Sequence, residues 1–220
     1  MLNRRPRIFQ FWDKPDPPAE VVELMETWRG AHGGWTHRLF DIEAAAELIR
    51  ETAGADYLKT FEACALPAMK ADVFRYAALH AEGGVYVDAD VRCDKSIKPL
   101  WKRSRRGVLL RRKSNIANDV LIVKAPGDPL IAYAMEQAMK NVADQTRNDV
   151  WSMTGPGIMT KLNHRDDDYS RTLFEGFKVL TIPEIDEYVT FKWDLDYKKD
   201  GEHWVHKQKT TSIFNTPKAR

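Results

Sequence analysis

Glu82-Gly83-Gly84-Val85-Tyr86-Val87-Asp88-Ala89-Asp90-Val91 is the stretch on which the reading of this chain turns. From Val85 to Val91 the residues alternate. Val85, Val87, Ala89 and Val91 share one face of a predicted strand, and Tyr86, Asp88 and Asp90 share the other. Just before it, Met69–Glu82 has the spacing of a long helix entered at Pro67, and Gly83-Gly84 supply the permissive backbone at its end. A buried strand thus ends in two carboxylates, and ligands in α/β sheets gather at the carboxyl ends of strands.

The same layering extends in both directions. Ile8–Trp12 reads as a strand closed by the turn-rich Lys14-Pro15-Asp16-Pro17-Pro18, and Ala19–Arg29 as an amphipathic helix with Val22, Leu24, Met25 and Trp28 as its apolar positions. Gly33-Gly34 end that helix. Trp35–Phe40 reads as a second strand, and Asp41 caps a helix from Ile42 to about Thr52. Strands follow at Gly107–Arg111, Asp119–Lys124 and Lys178–Ile182, with a helix over Pro129–Val142. Strands alternating with helices predict an α/β layered fold, and 220 residues without a repeat or linker predict one domain over 1–220. From Pro183 onward the chain is aromatic, charged and without a clear period.

Two carboxylates at i and i+2 on a strand point the same way and resist ionising side by side. A divalent cation resolves the conflict, and oxygen ligands suit Mg²⁺ or Mn²⁺. Such an ion stabilises a departing nucleoside diphosphate, but the same pair also serves phosphate hydrolysis or nucleotidyl transfer. Asp-x-Asp occurs three times. Asp166–Asp168 lies in a polar run that reads as a solvated turn, and Asp194–Asp196 lies between Trp193 and Tyr197 with nothing to pin it. Only Asp88–Asp90 ends a buried strand after a helix and a Gly-Gly turn.

Lys70-Ala71-Asp72-Val73-Phe74-Arg75-Tyr76 followed by Glu82–Asp90 resembles the core signature of glycosyltransferase family 32. This is the sugar-binding-region family with a DXD motif, similar to yeast mannosyltransferases, capsular polysaccharide enzymes and, more distantly, clostridial glucosylating toxins. Pro6–Trp12 resembles its first strand, which ends in Gln-x-Trp. Asn118, Pro126-Gly127-Asp128-Pro129 and Thr154-Gly155-Pro156 resemble its weaker downstream motifs. The resemblance implies a GT-A type nucleotide-sugar-binding fold, a mixed central sheet flanked by helices, and retaining transfer from a UDP- or GDP-linked sugar to a saccharide or lipid-linked saccharide. It implies that Asp90 coordinates the metal and that Asp88 contacts the ribose and the metal shell. Asp72 and Arg75 would hold the donor sugar, Tyr86 would shape the nucleotide pocket and Trp12 would border the base. A late histidine commonly closes the metal site in such enzymes. Of His203 and His206, the Val205-His206 context fits the family better, although a second Trp after the Ser is missing here.

Elementary chemistry supports part of this and offers plainer readings beside it. Asp72 and Arg75 are i, i+3 on a helix and share a face, so they can bind hydroxyls and phosphate or simply pair with each other. Tyr86 and Trp12 serve equally as packing residues, and His206 as a surface histidine. His32, His37, His80 and His164 lack ligand spacing and read as surface or partly buried.

Bulk composition narrows the classes further. Thirty-four Lys and Arg against 32 Asp and Glu leave +2, too little for nucleic-acid binding by bulk charge. Two cysteines, Cys64 and Cys93, cannot build a disulfide framework or a zinc site, and read as free thiols. The N-terminus lacks the apolar run of a signal peptide, and no stretch approaches a membrane span, so the expectation is a cytoplasmic protein. The runs Lys102–Arg106 and Arg111–Lys113 read as solvated faces or, more sharply, as a peripheral contact with the inner membrane face or an anionic acceptor. No Gly-rich phosphate loop or Gly-x-Ser-x-Gly elbow is present. A metal-dependent glycosyltransferase is the leading expectation. A metal-dependent nucleotidyltransferase and a non-catalytic nucleotide-sugar-binding module are the alternatives.

Overall fold

Alternation in Arg7-Ile8-Phe9-Gln10-Phe11 (β1, Arg7–Phe11) divides its side chains between two layers. Phe9 and Phe11 join one apolar core and Ile8 joins the other. The computed structural model describes residues 5–192, 194–199 and 204–216. In chain order β1 is followed by α1 (Ala19–Ala31), β2 (Thr36–Phe40), α2 (Ile42–Ala63), α3 (Pro67–Glu82), β3 (Gly84–Val87), β4 (Val91–Cys93) and α4 (Lys98–Arg103). Then come β5 (Gly107–Arg112), β6 (Asn115–Val123), α5 (Pro129–Asp144), α6 (Val150–Met153), α7 (Gly157–Asn163) and α8 (Asp168–Phe174). β7 (Phe177–Thr181), α9 (Ile182–Ile185), β8 (Val189–Phe191), a 3₁₀ turn at Asp196–Lys198 and α10 (Trp204–Thr210) complete the described chain.

The main sheet is mixed, in the order β2-β1-β3-β6-β5-β7. β1 lies parallel to β2 and β3, β6 runs antiparallel to β3 and β5, and β7 is parallel to β5. One face packs on α2, α3, α5 and α7 through Phe9, Phe40, Phe74, Tyr86 and Leu121. The other face packs on α1, α4 and α9 through Ile8, Trp28, Val85, Ile97 and Ile122. A small β4–β8 ribbon extends this second face. The span of α2 holds two helical segments: the first, expected from Ile42 to about Thr52, breaks at Gly54 (φ 84°, ψ 175°), and the second runs on to Ala63. Its start is as expected, with Asp41 accepting from Ala44 N at 2.8 Å.

The strand expected over Val85–Val91 is corrected. β3 ends at Val87, Asp88-Ala89-Asp90 form a turn closed by Val91 N donating to Asp88 O at 3.1 Å, and β4 begins at Val91. The alternating pattern survives as packing, since Val85, Val87 and Val91 still line one core. The carboxylates, however, sit on a turn at the strand's carboxyl end. β6 carries a compensating irregularity beside them. Val108 pairs with Ile122 but Leu110 with Ala117, so β6 carries extra residues around Asn118 and Asp119.

Gly83 and Gly84 hold φ of 62° and 117°. A Cβ on Gly84 would lie 2.8 Å from Arg7 O and 2.9 Å from the Phe9 ring. Gly84→Ala should therefore lower the unfolding free energy in urea by about 2–4 kcal/mol, combining backbone strain with overpacking. Gly30→Ala, in α1 with nothing within 4 Å of its Cβ, should be neutral or stabilising by up to about 1 kcal/mol.

Candidate active site

Arg75 organises the site. It leaves α3 fully buried, and each of its nitrogens finds an acceptor. Nε donates to Ala71 O at 3.2 Å and Nη1 to Asn118 O at 2.5 Å. Nη2 lies 3.1 Å from Asp72 Oδ1 and 3.2 Å from Asp88 Oδ1. Its guanidinium stacks 4.3 Å over the Tyr86 ring. Burial works against the charge, but Asp88, Tyr86 and Asp72 together hold Arg75 above its usual range. One cation therefore joins α3 to the DXD turn.

Asp72 is equally enclosed, at 4 % exposure. Its Oδ1 accepts from Asn118 Nδ2 at 2.9 Å and its Oδ2 from Thr154 Oγ1 at 3.0 Å. Tyr76 donates to Thr154 O at 3.0 Å and accepts from Asn118 Nδ2 at 3.1 Å. Burial raises the Asp72 carboxyl, while Arg75, Thr154 and Asn118 oppose the shift. The salt bridge that sequence offered as the plainer reading of Asp72 and Arg75 is thus formed. Asn118 and Thr154, from two of the weaker motifs, are its supports.

Asp88 accepts from Tyr86 Oη at 2.9 Å on the same oxygen that faces Arg75. Its Oδ2 has no protein partner among the described residues. The backbone N–H of Asp88 donates to Asp119 O at 2.9 Å, extending the β3–β6 pairing into the turn. Gln10 Nε2 reaches Asp88 O at 3.4 Å. Burial pushes the Asp88 carboxyl up to about 7; Arg75 opposes this, whereas the neighbouring Asp90 and Asp119 charges add to it. Asp119 is held by Arg112 at 2.5 Å on Oδ2, and its buried Oδ1 has no partner.

Asp90, two residues on, is contacted from the far end of the chain. Tyr197 Oη donates to its Oδ2 at 3.1 Å and Lys198 Nζ lies 2.5 Å from the same oxygen. Trp12, just past β1, meets the Tyr197 ring edge-on at 5.1 Å, and its buried Nε1 has no partner. Gln10, which with Trp12 makes up the Gln-x-Trp of the first strand, is wholly buried and its Oε1 lies 2.6 Å from His37 Nε2. Burial lowers His37 to about 4, so its ring is neutral and Nε2–H is the donor in this contact.

The structure therefore brings together Trp12, Asp72, Arg75, Tyr86, Asp88 and Asp90. His206 is not among them. It is exposed on α10, and no three His, Cys, Asp or Glu converge as a metal cage among the described residues. His203 lies outside the described residues. His32, expected to be at the surface or partly buried, is buried outright, with Nδ1 2.9 Å from Trp28 O and Nε2 accepting from Ile97 N at 2.9 Å. Two basic side chains of the expected surface runs are instead committed to internal pairs, Arg106 with Asp128 and Arg112 with Asp119. Cys64 and Cys93 are free, and both are buried. Sequence reasoning missed Asp119, Tyr197 and Lys198. Asp119 carried a signal, a second polar residue beside Asn118 inside an otherwise apolar strand. Tyr197 and Lys198 carried none.

Residues 5–106 match the family described as "Glycosyltransferase sugar-binding region containing DXD motif". The matched stretch is just under half of the chain. An initiation-specific alpha-1,6-mannosyltransferase of Schizosaccharomyces pombe is 26 % identical over 216 residues, covering 83 % of this chain and 53 % of the relative. A mannosyl phosphorylinositol ceramide synthase of Saccharomyces cerevisiae is 32 % identical over 131 residues, covering 59 % of this chain and 33 % of the relative. The chain thus spans about half the length of the first relative and a third of the second. The ligand-free glycosyltransferase domain of the YGT toxin superposes with a TM-score of 0.57 at 8 % identity, covering 82 % of each chain. The fold is of the GT-A type. The match contains β1, α3, β3 and the DXD turn, whereas Asn118, Thr154, Tyr197 and Lys198 lie beyond it.

Two measurements test the energetics of this DXD site. Arg75→Met leaves Asp72 and Asp88 without their shared cation and should lower the unfolding free energy by about 3–5 kcal/mol in urea. Asp88, raised to about 7, binds its proton more tightly in the folded than in the unfolded protein. Its ionisation therefore costs stability, progressively as pH climbs from the ordinary carboxylate range through about 7. In chelator, Asp88→Asn should melt higher than the parent at pH 8, with the gap closing as pH falls toward about 4.

Proposed function

We propose that the chain transfers a hexose from a UDP- or GDP-linked sugar to a saccharide or glycolipid acceptor, with retention of configuration and with a divalent metal at Asp88 and Asp90. The observation that carries the reading is the DXD turn at the carboxyl end of β3, tied by Arg75 to a buried polar network on α3. The names of the two fungal relatives both include a mannosyl transfer, which favours mannose as the donor sugar, and one names a phosphorylinositol ceramide, which favours a glycolipid among the acceptors to be tried first.

The donor set suits Mg²⁺ or Mn²⁺. Both side chains offer carboxylate oxygen, Asp88 Oδ2 is uncommitted to protein among the described residues, and Asp90 already attracts a cationic side chain. Two carboxylates complemented by substrate phosphates and water are a usual setting for such ions. The chemistry the ion supplies is Lewis-acid stabilisation of the departing nucleoside diphosphate.

The protein's own residues prepare that site. Tyr86 and Arg75 fix Asp88 Oδ1 and so set the rotamer that presents its other oxygen. Asp72, with both oxygens already bonded, acts as the residue that positions Arg75 more than as a hydroxyl acceptor. Gln10 holds the backbone at Asp88, and Trp12 offers an aromatic face and an unpartnered N–H beside the turn, a suitable border for a base.

Incubation with UDP- and GDP-sugars, Mn²⁺ and a panel of saccharide and glycolipid acceptors tests the reading. The expected outcome is release of nucleoside diphosphate coupled to a new glycosidic bond of retained anomeric configuration. Asp90→Asn should cut the rate at least about a hundredfold. Release of pyrophosphate would instead identify a nucleotidyltransferase, and tight donor binding without turnover across the panel would identify a binding module.

A further inference from the structure

Beyond β8 the chain returns to the DXD turn. Lys192 N donates to Asp90 O at 3.3 Å. The 3₁₀ turn at Asp196–Lys198 is then tethered to the first turn of α1, where Glu20 accepts from Asp196 N at 3.1 Å and from Tyr197 N at 3.2 Å. Leu195 is buried, and the Tyr197 ring packs with Ala89, Val21, Met25 and Trp12. These anchors set the position of the next side chain. The Lys198 side chain is only 7 % exposed, and its ammonium lies 2.5 Å from Asp90 Oδ2 and donates to Lys192 O.

An ammonium this enclosed loses much of its hydration, so its position is dictated by the anions it meets. The other cations of the site are committed. Arg75 serves Asp72 and Asp88, and Arg112 pairs with Asp119 and lies 4.0 Å over the Phe191 ring. A diphosphate that shares an ion with Asp90 is brought beside the ammonium that contacts that same carboxylate. Two phosphates joining Asp88, Asp90 and Asp119 add negative charge where it is already in excess, and a mobile point charge on a four-carbon stem can divide itself between Asp90 and a phosphate oxygen. We propose that Lys198 is a donor-binding residue that contacts the diphosphate of the nucleotide sugar and shares Asp90 with the metal. This assignment rests on the reading of Asp88–Asp90 as the donor site.

Calorimetry on the full chain separates the outcomes, with Mn²⁺ alone, then with UDP, GDP and the corresponding nucleosides at saturating Mn²⁺, for wild type, Lys198→Met and Lys198→Arg. In Lys198→Met the nucleoside diphosphate should bind about tenfold more weakly, the loss of one charge-assisted contact, while nucleoside affinity stays unchanged. Mn²⁺ alone should bind as tightly as in wild type or more tightly, because a competing cation has left Asp90. Lys198→Arg should recover most of the diphosphate affinity. Equal diphosphate binding by wild type and Lys198→Met overturns the assignment alone. Parallel loss of Mn²⁺, nucleoside and diphosphate binding also overturns it, by showing that the lysine only maintains the fold. Wild type that binds neither diphosphate with Mn²⁺ present overturns the donor-site reading, and this assignment with it.

Discussion

The buried guanidinium of Arg75 is the constraint on which the rest of the site depends. A charge at this depth survives only when its acceptors are fixed, and here they come from three places in the chain: Ala71 and Asp72 on α3, Asp88 on the turn after β3, and the Asn118 carbonyl on β6. Each element then acquires a required position. α3 must cross the sheet beside β3, β6 must pair with β3 far enough to bring Asn118 under the guanidinium, and the turn must present Asp88 toward α3. Thr154, from the α6–α7 connection, and Tyr76, from α3, complete the enclosure. The network fixes the arrangement of these elements around the DXD turn, and removing the cation leaves two uncompensated carboxylates.

Its counterpart is the accumulation of negative charge on the open side. Asp88, Asp90 and Asp119 lie close enough that the latter two raise the first, in addition to the burial that dominates its shift. A fold selected for stability alone would dilute that cluster. On the proposed function, a divalent cation bound there would relieve the electrostatic cost that the native state carries.

Much of this was legible in the sequence. The apolar alternation of Val85, Val87 and Val91, the Gly-Gly turn and the helix before it located β3 and α3, and residue spacing put Asp72 and Arg75 on one helix face. The break after Val87 was not legible, because the apolar positions stay in phase across the turn and a period-2 pattern cannot distinguish a strand from two strands joined by a tight turn. Asn118 and Thr154 were recognisable as motif residues, but their common task, holding Asp72, is a contact across 46 and 82 residues that spacing does not reveal. Tyr197 and Lys198 were invisible for a different reason. They reach Asp90 from a short 3₁₀ turn with no hydrophobic period, tethered through backbone N–H groups to Glu20 on α1. His206, expected from the Val205-His206 context to close the metal site, lies exposed on the helix Trp204–Thr210, because sequence context does not report which way a short helix turns its residues.

The central claim is that the DXD turn, braced by Arg75, binds the metal and the diphosphate of the donor. Anomalous diffraction from crystals grown with Mn²⁺ and a nucleoside diphosphate tests it directly. The account predicts one strong anomalous peak at the carboxylates of Asp88 and Asp90, with the diphosphate beside it and Arg75 still bonded to Asp72 and Asp88. A manganese peak elsewhere, or a nucleotide bound away from the turn, would contradict it.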